Sequence, residues 1–141
     1  MKLNNEYIRD ILLFLEDCDY YTVNNDNDVV PNPVWFNTIC IHFNKHPKHE
    51  LYYALSNLAQ AGFISLSQTH SGNAINCAVN FITFEGHEFL NSIRDDHNWG
   101  KIKYGLNALR NYSLAAIQSI AAGVTDAAIQ SYIPSISSKN V

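Results

Sequence analysis

Charge is scarce in this chain. Asp, Glu, Lys and Arg make up 16% of its 141 residues, and the formal net charge is −4. That balance excludes the strongly basic type of nucleic-acid binder, whose affinity rests on a dense Lys/Arg stripe. Cysteine is equally sparse. Cys18, Cys40 and Cys77 are odd in number, far apart and form no C-x-x-C, which excludes a disulfide framework and a zinc knuckle. Buried free thiols in a reducing compartment are the expectation. No run of 18 apolar residues occurs, so no membrane span is expected. The opening "MKLNNEYIRD" lacks the apolar stretch of a signal peptide, and a cytoplasmic location is expected. Catalytic signatures are missing too: there is no G-x-S-x-G, no phosphate-cradling glycine loop and no Cys–His pair with a local signature. His87-Glu88 is followed by Asn91 where a zincin needs its second His. The chain is read as no enzyme, with no metal and no cofactor.

What is present is apolar and patterned. A hydrophobic content of 47% describes a folded chain of one domain with an appended element. Acidity is concentrated at the start: residues 1–30 hold seven acidic and two basic side chains, leaving the remainder at +1. That remainder can meet a phosphate backbone locally without large repulsion.

In "NNEYIRDILLFLEDC", Tyr7, Ile8, Ile11, Leu12 and Leu15 recur at helical spacing, with Asn4 or Asn5 as the cap. "DYYTVNNDNDVVPNP" reads as loop or irregular extended chain. It fails as a calcium loop, because no Gly at the sixth position and no Glu at the twelfth follows a D-x-D start. "VWFNTICIHF" reads as a strand, with a short helix as the alternative. "HPKHELYYALSNLAQAGF" is a helix: Pro47 suits the first position, Leu51, Ala54, Leu55 and Leu58 make the stripe, and Gly62 suits a left-handed C-cap. "FISLSQT" and "AINCAVNFIT" form a hairpin about Ser71-Gly72-Asn73. A long helix, straight or kinked, is expected from Thr83 to about Leu109, and a last one from about Tyr112 to Ile133. "PSISSKNV" reads as a frayed tail.

"ITFEGHEFLNSIRDDHNW" gathers two histidines, four carboxylates and an arginine. It reads as a helix start and not as a reactive cluster. Thr83 is the expected N-cap. Gly86 allows close approach to the hairpin strands, and Arg94 partners a neighbouring carboxylate.

Helix, strand, helix, hairpin, helix is the order of a winged-helix domain. "LSNLAQAGFIS" is similar to the end of the recognition helix in many winged-helix regulators, and "ITFEGHEFL" to the exit from the wing. With "IRDILLFLE" and "EGHEFLNSIRDDHNWGKIK", the chain resembles a family of small uncharacterised winged-helix proteins carried largely by phages and other mobile elements of bacteria. Residues 6–17 and 47–104 carry the match. The resemblance implies an α+β winged-helix fold over residues 1–97, with an Asn/Asp-rich insert at 18–35. Residues 98–141 then form a helical extension and tail. It brings no activity. A separate helix ahead of the recognition helix, which a helix-turn-helix needs, has no clear sequence here.

Two partner classes stay open on this reading. Lys45, Lys48, His49, Tyr52, Tyr53, Ser56, Asn57 and Gln60, with His70 and Asn73 of the wing, form a hydrogen-bonding face. It can contact the phosphates and adenine edges of double-stranded DNA. It contains no arginine, the commonest reader of guanine. Its exposed tyrosines suit a host-protein partner equally, as in an anti-defence inhibitor. His42, His46 and His49 share a helical spacing suited to zinc, but Pro47 cannot lie inside such a helix. In "YSLAAIQSIAAGVTDAAIQSYI" the only charge is Asp126. A helix so poor in charge wants covering, and Ile117, Ile120 and Val124 are candidate contacts of a homo-oligomer.

Overall fold

The computed structural model describes residues 1–132, with side chains described through Val124. The expected helix end at Ile133 and the tail from Pro134 lie outside the described residues. The fold is α+β. Among the described residues there are six helices and two small antiparallel sheets. The chain divides into two compact units, Met1–Glu88 and a second beginning at Phe89.

The first unit opens with α1 (Asn5–Glu16). Asn4 is its cap, and its carboxamide oxygen accepts the N–H groups of Glu6 and Tyr7 at 3.0 and 3.3 Å. Ile8, Ile11, Leu12 and Leu15 are fully buried, as their spacing requires. The Asn/Asp-rich segment that follows is a small hairpin and not irregular chain: β1 (Tyr21–Val23) pairs with β2 (Val29–Pro31). Its sequence hides this because almost nothing in it is buried, so no alternation of apolar and polar residues marks it. The turn is set by one side chain instead. The Asn24 carboxamide oxygen accepts the N–H groups of Asp26 and Asp28 at 3.0 and 2.9 Å, while Asn27 takes a positive φ of 65°.

Residues 34–43 correct the strand expectation. Only Val34–Trp35 is strand (β3), and Phe36–His42 is a helix, α2. The seven residues contain just two buried positions, Ile39 and Cys40. So short a stripe has no readable period. This helix is the one that precedes α3 (Lys48–Gln60). Pro47 sits one place earlier than expected, at the N-cap of α3, and its carbonyl accepts the Leu51 N–H at 3.1 Å.

α3 ends in a Schellman turn. Gly62 takes φ +80°, the Phe63 N–H donates to the Leu58 carbonyl at 2.9 Å, and the Gly62 N–H donates to Ala59 at 3.0 Å. The long hairpin follows, β4 (Ile64–Ser71) and β5 (Ala74–Ile82), and the sheet order is β3-β5-β4. The turn residues are Gly72 and Asn73, with Gly72 at φ +61°. The register slips between Ser65 and Leu66, leaving Asn80 as the extra residue of a bulge. Its amide donates to the hydroxyls of Ser65 and Ser67, at 3.2 and 2.9 Å.

α4 (Phe84–Ile93) begins where β5 ends. Thr83 caps it: its hydroxyl oxygen accepts the Gly86 N–H at 3.0 Å, and the hydroxyl donates to the Gly62 carbonyl at 2.6 Å. The Thr83 N–H donates to the Phe63 carbonyl at 3.0 Å. A Cβ on Gly86 would collide with that carbonyl oxygen and come within 2.8 Å of Ile82 Cγ2.

The long helix is interrupted after Ile93. α5 (Asp96–Leu109) starts afresh, with Asp95 as its N-cap accepting the Asn98 N–H at 2.8 Å. Arg94 donates to Asn91 Oδ1 at 3.0 Å, a carboxamide. α6 (Leu114–Tyr132) is introduced by Ser113, whose hydroxyl accepts the Ala116 N–H at 3.1 Å. In the second unit Phe89, Leu90, Ile93, Trp99, Ile102, Leu106, Ile117 and Ala121 are buried.

Gly86→Ala is expected to lower stability by about 2–3 kcal/mol, since the obstacle is backbone and cannot rotate away. Gly100→Ala, in α5 with open space around it, is expected to raise stability by about 0.5–1 kcal/mol. Chemical denaturation of the two variants checks both signs.

Candidate functional site

α3 is built to bury one side and show the other. Leu51, Ala54, Leu55 and Leu58 are packed out of solvent. Lys48, His49, Tyr53 and Gln60 are exposed, and Ser56 and Asn57 are half-buried. The Asn57 amide donates to the Tyr53 carbonyl one turn back at 2.8 Å. Lys45, in the connection from α2, is exposed ahead of the helix.

Tyr52 is placed differently. Its ring meets Phe36 of α2 edge-on at 5.2 Å, and its hydroxyl donates to the Asn76 carbonyl of β5 at 3.5 Å. It braces α3 against α2 and the hairpin. His70 and Asn73 lie in the exposed distal half of that hairpin, where every residue from 67 to 76 is open to solvent. The candidate residues therefore form two groups, the outer face of α3 and the hairpin tip, with Tyr52 as the strut between their elements.

The stretch that contains α3 and the hairpin carries little charge. From Val29 to Phe84 the chain carries three charged side chains, Lys45, Lys48 and Glu50. Glu50 is engaged with Tyr7 of α1: after burial, its carboxylate is the next cause holding the Tyr7 hydroxyl above its usual range. The hairpin has no Asp, Glu, Lys or Arg at all.

The three clustered histidines diverge. His42 stacks on Phe14 at 4.2 Å. His46 stacks on Tyr7 at 4.2 Å and lies parallel to Phe43 at 5.5 Å. His49 faces solvent. Among the described residues no three His, Cys, Asp or Glu side chains come together as a metal site. The stacked rings join α1 to the turn that launches α3, a role that the i, i+4, i+7 spacing did not signal.

α6 spends part of its apolar stripe within the chain. Ile117 and Ala121 are fully buried, and Ile120 lies over Gly105, where an added Cβ would come within 3.2 Å of it. Ile117 is thus spent on packing within the chain. Ile120 and Val124 remain half-buried.

A sequence profile matches residues 2–111, from the second residue of the first unit through α5. The chain belongs to the DUF2513 family. The description of that family is Hypothetical protein (DUF2513), and its match ends ahead of α6. No curated protein and no solved structure matches the chain. The DUF2513 region therefore contains α3, the hairpin and the aromatic stack, and excludes α6. No helix among the described residues is long and apolar enough to cross a membrane.

Asp10 borders the stack on α1. Burial, then the Glu6 carboxylate, hold its carboxyl above the ordinary range against the opposing pull of Arg9 and His46. The folded chain thus grips this proton more tightly than the unfolded chain, and ionising Asp10 costs stability. The cost is absent below the unfolded-state value and complete above the folded one. Asp10→Asn is expected to raise the denaturation midpoint at neutral pH, with the gain disappearing as the pH falls through the carboxylate range. Denaturation curves at a series of pH values check this.

Proposed function

We propose that the first unit is a winged-helix domain that binds duplex DNA, with α3 as the recognition helix and the β4–β5 hairpin as the wing. The observation that carries this reading is the clearance of carboxylates from that face. In a chain of net charge −4, the whole stretch from Val29 to Phe84 keeps one, Glu50, and it is engaged with Tyr7. Phosphates repel surface carboxylates at close range, so a face poor in them approaches DNA without that penalty. Lys45 and Lys48 stand at the start of α3 to anchor the backbone. Ser56, Asn57 and Gln60 supply donors and acceptors for base edges, and His70 and Asn73 reach out from the tip. A small regulator of the kind that mobile elements carry fits this surface.

A second reading is supported by Trp35, Ile41, Tyr53 and Ile75, which are exposed in the same unit. Large apolar side chains at a surface suit a protein partner such as a host protein.

Fluorescence anisotropy on mixed-sequence duplex DNA decides between the two. Binding should weaken steeply with salt, and Lys48→Ala should reduce the slope of log K against log salt by about 1. Absence of binding at low salt, together with capture of a host protein that Tyr53→Ala abolishes, favours the second reading.

A further inference from the structure

β4 (Ile64–Ser71) is an outer strand of its sheet, whose order is β3-β5-β4. We propose that its free edge pairs antiparallel with β4 of a second copy, joining two three-stranded sheets into one across a twofold axis at Gln68. The inference concerns the hairpin backbone and does not rest on DNA binding.

The register shows which backbone groups are free. Ser71 and Ala74 flank the two-residue turn of Gly72 and Asn73, and in such a hairpin the flanking pair exchanges hydrogen bonds. The pairs then alternate along the ladder. Ser67, Thr69 and Ser71 therefore turn their N–H and C=O groups toward β5, while Leu66, Gln68 and His70 turn theirs outward. No hydrogen bond among the described residues reaches those outward groups.

The other strand edges are blunted. β1 and β2 are three residues each, with Asp19, Asp26 and Asp28 beside them and Pro31 ending β2. β3 is two residues long. On the same side of β5, just past β3, the Cys77 N–H donates to the Asn76 side-chain oxygen at 2.9 Å. β4 has none of these devices. It is eight residues long, with no Asp, Glu, Lys, Arg or Pro. The register shift lies at its base, between Ser65 and Leu66, and leaves residues 66–71 regular. An unguarded edge of this length is a template for another strand. The hairpin also gains from one, because past the pairing of Trp35 with Ala78 only two strands remain.

The strand is complementary to itself. With Gln68 opposite its own counterpart, Leu66 faces His70 and Ser67 faces Thr69. Outward backbone groups then meet outward backbone groups, and each pair that carries them exchanges two hydrogen bonds. The side chains match as well, since Gln with Gln and Ser with Thr pair by hydrogen bonding. A twofold axis sets like residues against each other, so a charge at its centre would repel itself. This strand has no acidic or basic side chain other than His70, which faces Leu66.

The test is sedimentation of the full chain over a range of concentrations, together with residue-level amide hydrogen exchange. A monomer–dimer equilibrium should appear. The Gln68 and His70 amides should gain protection as concentration rises, while the Thr69 amide is protected throughout. Gln68→Lys should raise the dimer dissociation constant at least about tenfold at low salt. Gln68→Pro should abolish the dimer and leave circular dichroism unchanged, because the N–H that it removes does not serve β5. Ile75→Lys, which puts the same charge on the other strand of the hairpin, should leave dimerisation intact. A chain that stays monomeric to millimolar concentration overturns the proposal. So does a dimer that either Gln68 variant leaves intact, since the contact then lies elsewhere. Equal loss with Ile75→Lys would make the effect one of charge anywhere on the hairpin and overturn it. Protection of the Gln68 and His70 amides that is independent of concentration would show cover from within the chain and overturn it likewise.

Discussion

The first unit depends on the contact between the end of α3 and the start of α4. Four backbone segments meet there: the Schellman turn, the first residue of β4, the last of β5 and the first turn of α4. Thr83 ties them, donating its N–H to the Phe63 carbonyl and its hydroxyl to the Gly62 carbonyl while accepting the Gly86 N–H. The geometry closes only because Gly86 has no Cβ to strike the Phe63 carbonyl. Phe63 and Gly86 are buried, and leaving their backbone groups without partners would cost about 1–3 kcal/mol each. The hairpin is therefore fastened at its base and free at its tip, and α3 leads directly into it.

Two further devices fix how α3 is presented. Tyr52 joins the helix to α2 and to the hairpin, while the stacked rings of Tyr7, His46 and Phe43 join α1 to the turn before it. Each uses a residue whose polar atoms look available for binding when seen in the sequence. Once they are spent on the scaffold, the outward inventory narrows to Lys45, Lys48, His49, Tyr53, Ser56, Asn57 and Gln60 with the hairpin tip. The surface that results is polar and almost uncharged.

The sequence by itself determined the elements whose signal is local. The stripe Leu51, Ala54, Leu55 and Leu58, the glycine at the end of α3, the Gly72 turn and the Thr83 cap each depend on neighbours within a turn or two, so spacing suffices to read them. The long hairpin and the outward positions of α3 were legible for the same reason. Tertiary structure decided the rest. α2 is too short to show a period, and the β1–β2 hairpin buries almost nothing, so neither leaves a hydrophobic pattern. The helix break at Asp95 depends on a cap that competes with continued helix, a balance that propensity alone does not settle. The fate of His42, His46 and Ile117 depends on contacts between residues distant in the chain. Spacing along one segment carries no information about what another segment brings against it.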